Sequence, residues 1–394
     1  MSTKKSFGFT ATLGVMSVFL LSQSAFILNP ALANIAELYP EIPYSTILLL
    51  STVGSLMLVP SSIVSGAIAG TKVKYRTVAI VSILCILVGG VMPYFLNDFY
   101  AILATRVIVG LGIGLASPLG NALIMRLYDN DKAANMQGIG TAVMNISGIV
   151  LQNVAGFVCA INVNYTWLVH LIMAIPLVLV LLFMPEPEKI EATKTEDDTK
   201  ANLNAGTYIV SITYGIVFML FYPLMLNMSA ILIGENIGTA ATAGIVLSFY
   251  TIGGMIAGFV FGKFFKAAGK FTIPISMAIQ VIAMAIGYIS NSAVLFMAAT
   301  GLGGFAIFII WPACIMGFGE TLNPKGVTLA SGIFTAFIGV GGFLASPYIS
   351  LVGTVVGNND PRMPILVGLI GTIIIAVLWT LVILSKKKEV SAVL

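Results

Sequence analysis

The sequence predicts an all-α membrane protein. About twelve membrane-crossing helices form two matched six-helix bundles, with both chain ends on the cytoplasmic side. Three observations lead there. The 394 residues are 58% hydrophobic and only 9% charged, with a mean hydropathy of +1.04; an ordinary soluble chain is about 25% charged. Apolar runs long enough to cross a bilayer recur from end to end, and the basic residues fall into alternate connections between them. A soluble enzyme, a nucleic-acid binder or a disordered chain is excluded, because so few polar side chains cannot cover a soluble fold of this length.

A helix crossing about 30 Å of hydrocarbon needs about 20 mostly apolar residues. Phe9–Ala31, Ser45–Ala69, Val78–Leu96, Phe99–Leu123, Gln137–Ile161 and Tyr165–Met184 meet that length. After a polar stretch, Thr207–Ile231, Thr239–Phe261, Thr272–Ile289, Ala293–Met316, Val327–Leu351 and Ile365–Leu384 follow. The first run follows Lys4 and Lys5 and ends near Ala31-Leu32-Ala33, as a secretory signal does. It exceeds the roughly 7–15 apolar residues of such signals, so an uncleaved first helix is expected.

With the N-terminus inside, every Lys and Arg except Arg106 and Arg362 falls on the inner side. That asymmetry is the positive-inside pattern, and it accounts for the net charge of +4. Residues 1–184 and 205–394 are then two bundles. Residues 185–204, with Glu186, Glu188, Glu191, Glu196, Asp197 and Asp198, form a charged cytoplasmic tether. The halves overlay: Gly110 on Gly304, Pro118 on Pro312, Thr141 on Thr335, Ala142 on Ala336 and Gly148 on Gly342, all at one separation. Gly66-Ala-Ile-Ala-Gly70 likewise resembles Gly258-Phe-Val-Phe-Gly262. Two parallel repeats with a site between them are a known transporter plan.

With these features the chain resembles the major facilitator superfamily. Arg106-Val-Ile-Val-Gly110-Leu-Gly112 looks like that family's R-x-x-x-G-x-G motif. The loop after the second span departs from the family pattern, with Gly70 and Thr71 where the family has Asp and Arg. The fifth span keeps Gly148 and Gly156 but has Gln152-Asn153 in place of the Gly-Pro of family antiporters. The short loops suggest a bacterial plasma membrane, and the resemblance implies a monomeric secondary transporter or facilitator. It would move a small organic solute, anionic or neutral, by alternating access, with or without a coupling ion. A proton-coupled efflux antiporter is the alternative. The two departures weaken the cytoplasmic latch and the antiporter reading.

An ion inside hydrocarbon is a functional candidate by default. None of the 15 Asp and Glu lies mid-span, which leaves Arg106 alone. By a rise of about 1.5 Å per residue it sits roughly 6 Å to the outer side of the midplane, with Gln23 and Gln152 about 4–5 Å out. These three, with Asn153 beside them, make a candidate site in the first half. Arg106 has a second reading, as a structural donor to buried carbonyls. Tyr222, Asn227, Tyr250 and Trp311 are softer candidates in the second half, and aromatic packing explains the rings equally well. Gly110 and Gly114, with Gly148, Gly66, Gly258 and Gly262, are candidates for close helix approach or sliding. His170 is expected to be structural. A single histidine, and Cys85, Cys159 and Cys314 within apolar runs, offer no metal cluster or disulfide framework. No Walker-type loop is present, so no cofactor, metal, nucleotide or nucleic acid is expected. The dispersed acids also speak against a polytopic enzyme.

Overall fold

The computed structural model describes residues 8–128, 130–187 and 202–385. The terminal lysines Lys4, Lys5, Lys386, Lys387 and Lys388 and most of the charged tether lie outside them. The described residues are helical throughout and contain no strand. We number the helical runs α1 (Phe9–Leu38), α2 (Tyr44–Ile68), α3 (Tyr75–Phe95), α4 (Phe99–Leu127), α5 (Asn130–Ile161) and α6 (Tyr165–Phe183). After the tether come α7 (Ala205–Gly234), α8 (Ala240–Ala268), α9 (Thr272–Ile289), α10 (Ala293–Thr321), α11 (Pro324–Val356) and α12 (Met363–Ser385).

Among the described residues eleven stretches, not twelve, are long and apolar enough to span a membrane. The difference lies in one 50-residue stretch, Ala240–Ile289. It contains both α8 and α9, separated by a tight turn at Gly269, whose φ of 52° favours glycine.

Local chemistry sets the other boundaries. Side chains of Asp98, Asn204, Ser292 and Asn323 accept from the first free N–H groups of α4, α7, α10 and α11. Lys74 cannot cap α3, and the helix instead borrows Glu186, whose carboxylate accepts from Tyr75 N and Arg76 N at 2.8 and 2.9 Å. The α-helix of α4 stops at Ala116 and restarts at Leu119, around Pro118. The repeat-related Pro312 leaves α10 continuous. α1 is the least regular run: Ser17–Phe26 is 3-10 helix, and a second 3-10 turn covers Asn29–Ala31.

The chain forms two compact units. The first holds the described residues up to Leu28 and from Val53 to the tether; the second holds Asn29–Thr52 and everything after the tether. In the first, α1 packs on α5, α3 on α4 and α6, and α2 on α4. In the second, α7 packs on α11, α9 on α10 and α12, and α8 on α10. The pairings repeat because the same small residues open the same contacts. A Cβ on Gly110 would lie 2.6 Å from Gly54 Cα, and one on Gly304 would lie 2.7 Å from the Tyr250 carbonyl carbon. Asn29–Thr52 is tied into the second unit by Ala33 N donating to Ser229 Oγ at 3.1 Å and by Ser346 Oγ donating to Ser45 O.

Candidate solute site

The first unit's polar interior begins with a missing donor. In a regular α-helix the carbonyl of Gly89 would accept from residue 93, but that residue is Pro93 and has no N–H. Arg106 fills the gap from α4. Its Nη2 donates to Gly89 O and, at 3.5 Å, to Gly90 O; Nη2 and Nε also reach Thr105 Oγ1 at 3.3 and 3.4 Å. The guanidinium carbon lies 5.4 Å from the centre of the Trp167 ring. Only 3% of Arg106 is exposed. His170 is buried beside Gly90, with Nδ1 3.2 Å from Trp167 O.

Gln23 and Gln152 meet elsewhere, around Gly148. Gln152 Nε2 donates to Gly148 O at 3.1 Å, and a Cβ on Gly148 would lie 3.0 Å from Gln23 Oε1. Asn153 turns back on its own helix, donating to Ile149 O at 2.8 Å. Thus Gln23 and Gln152 each lie against Gly148, and neither is a hydrogen-bond partner of Arg106, which faces α3 and α6.

The second unit gathers aromatic rings and uncharged polar groups. Tyr214 stacks on Phe334 with centroids 4.9 Å apart, and its hydroxyl donates to Ile307 O at 3.1 Å. Tyr222 stacks on Phe218 and lies beside Asn29. Tyr250, half-buried, stacks on Phe221 and meets Phe308 edge-on. Trp311 meets Phe334 edge-on and is 41% exposed. Asn29 is fully buried, yet neither amide atom has a partner in hydrogen-bonding geometry. Asn227 is not grouped with these rings; its Nδ2 donates to Pro361 O at 2.7 Å.

Sequence reasoning missed Asn29 and Tyr214. Asn29-Pro30 looked like the end of the first span, whereas the helical run continues to Leu38. The predicted glycines divide. Gly110, Gly114 and Gly148 are closely packed, with a Cβ on Gly114 running into Ser61 and Leu58 of α2. Gly66, Gly258 and Gly262 face open space.

A family model for the Major Facilitator Superfamily matches residues 14–222 and again 207–393. The chain belongs to that superfamily. It is a multi-pass membrane transporter, not an enzyme. No curated protein sequence matches it. Among solved structures it is similar to the nucleoside transporter NupG, at a TM-score of 0.76 and 13% identity over 95% of this chain and 99% of that one. It is also similar to a bacterial homologue of the human lysosomal transporter Spinster in an inward-facing, occupied state, at 0.71 and 13% over 94% and 95%. A POT family transporter in complex with a thioalcohol-conjugated peptide gives 0.72 and 15% over 96% of each chain. At these identities the likeness conveys the fold alone.

Proposed function

We propose that this transporter carries a small, uncharged organic solute across the plasma membrane by alternating access. Hydroxyl, amide and aromatic groups of the second unit, above all Tyr222, Tyr250, Trp311 and Asn29, are the proposed contacts. The observation that carries the reading is the state of Arg106. The one ionic side chain deep in an apolar span has two of its three nitrogens, Nη2 and Nε, turned to the backbone of α3 and to Thr105. A charged solute would have to displace those bonds and reach a side chain that is only 3% exposed. Buried amides and half-open rings suit a solute that hydrogen-bonds at one edge and stacks on a face. Nucleosides are solutes of that kind, and the neighbour named for them uses the same fold.

The absence of Asp and Glu from mid-span favours facilitated movement over proton drive. The proposal includes a monomer with twelve crossings, α8 and α9 counting separately. Residues 1–184 and 205–394 act as the two bundles, 185–204 tether them, and both ends are cytoplasmic. The inner-side clustering of lysine and arginine supports that orientation.

The test is uptake by proteoliposomes offered labelled nucleoside, sugar, dipeptide, carboxylate and organic cation, with and without a pH gradient. We expect an uncharged solute to lead and the gradient to leave the rate unchanged. Tyr250→Ala should raise KM, and Arg106→Lys should leave KM unchanged. Preference for a carboxylate or a cation, or accumulation driven by acid, overturns the reading.

A further inference from the structure

A second polar pocket lies within the second unit, where the start of α2 and the end of α11 meet the loop before α12. Its volume is about 260 Å³, room for roughly nine waters at about 30 Å³ each or one solute of monosaccharide size. Tyr44, Ser45, Ser350 and Thr354 bring hydroxyls to its wall, Asn227 an amide and Asp360 a carboxylate. Two features mark it as more than a surface dent. Asn227 is fully buried, and while its Nδ2 is bonded to Pro361 O, its Oδ1 has no donor. Buried amide oxygens are almost always satisfied, so an unpaired acceptor on a lining residue favours a ligand that can donate to it. The lining also mixes hydroxyl and amide side chains, and carries one carboxylate with no basic side chain among the lining residues.

We propose that this pocket is an accessory binding site for a small polyhydroxylated solute, one of whose hydroxyls donates to Asn227 Oδ1. Polyols and sugars donate and accept at every carbon, which matches a wall of hydroxyls and amides. A bare metal cation is a poor match, since Asp360 is the only carboxylate and its Oδ1 already accepts from Arg362 N at 2.8 Å. The site is separate from the aromatic cluster, and its occupancy does not depend on which solute the chain transports.

The test uses the full chain in detergent with Thr354→Cys at the rim, in a Cys85→Ser background because Cys159 and Cys314 are buried. Alkylation by a polar maleimide is timed with xylitol, with glucose and with ethanolamine. Xylitol or glucose should slow the reaction several-fold and saturably, and leave Glu41→Cys, outside the pocket, unaffected. Adding Asn227→Ala should abolish the protection. Ser350→Ala, which leaves the Asn227–Pro361 bond intact, should weaken it. No saturable slowing by either polyol overturns the proposal, as does equal slowing at Glu41→Cys, protection by ethanolamine alone, or protection unchanged in both pocket variants. Protection in a protein that transports no uncharged solute would leave this site standing and remove only the reading of the cargo.

Discussion

The third helix of each half ends against an arginine, but the two arginines sit in different surroundings. At the end of α3, Arg106 reaches in from the middle of α4 and covers the carbonyls of Gly89 and Gly90. At the end of α9, Arg362 reaches in from the loop before α12 and covers those of Gly287, Tyr288 and Ser290. Each guanidinium also lies 5.4 Å from an aromatic centre, Trp167 in one case and Phe296 in the other. Only Arg362 has a carboxylate, Glu235, held at 2.5 and 2.6 Å by two prongs. The two arginines outside the inner loops share a structural task, satisfying orphan carbonyls at the end of equivalent helices. A lone charge inside an apolar span is the usual pointer to a binding site, and here backbone need accounts for it.

The repeat is tested most severely at its glycines. Gly110→Val and Gly304→Val each push a side chain into the backbone of the facing helix, α2 or α8. Each should cost at least the upper end of the roughly 1–3 kcal/mol typical of overpacking, read as loss of the monodisperse peak in size-exclusion chromatography. Gly304→Val should be the worse, because the nearest backbone atom is closer there. Gly258→Ala faces open space and should behave as the parent. If Gly110→Val and Gly258→Ala melted alike, the paired helix contacts would lose their claim to stabilise each half.

A double mutant separates the two possible duties of Arg106. Arg106→Ala strands Gly89 O in an apolar interior and should lower stability by about 1–3 kcal/mol, the cost of an unsatisfied buried acceptor. Pro93→Ala returns the missing N–H one turn away. The pair Arg106→Ala with Pro93→Ala should therefore be more stable than Arg106→Ala alone, a coupling that thermal melting can measure. Additive effects would mean that Arg106 serves something other than this carbonyl, and a solute would return as the leading partner.

Much of the fold was legible because lipid dictates length and polarity. The apolar runs, the alternation of basic loops and the shared spacing of Gly110 and Gly304 all follow from that solvent. α8 and α9 were separable in sequence because Lys263, Lys266 and Lys270 interrupt the apolar run, although the helical stretch carries through them. The candidate site was less legible. Rise per residue gives the depth of Arg106 but not its azimuth, which depends on the helices beside it. Gln23 and Gln152 each lie against Gly148, and neither bonds to Arg106. The clue to the arginine was Pro93, four residues after Gly89, a pattern readable in principle. Glu186 was read as part of a plain tether; its bonds to α3 follow from Lys74 being unable to cap a helix, which matters only once the two segments are adjacent.

The smallest expected effect concerns the one clear difference between the arginines, the carboxylate. The Glu235 side chain is 38% exposed, so water and salt screen much of its attraction for Arg362. Glu235→Gln keeps one acceptor oxygen and leaves the three carbonyl bonds in place. It should cost no more than about 1 kcal/mol, and less at high salt. Melting of parent and variant across a salt series checks this, and the two curves should converge as salt rises. A loss that salt does not diminish would mean that the ion pair, not the carbonyl bonds, anchors the loop before α12. Arg362 would then be an ion-pair residue with incidental backbone contacts, and its likeness to Arg106 would end at the shared aromatic neighbour.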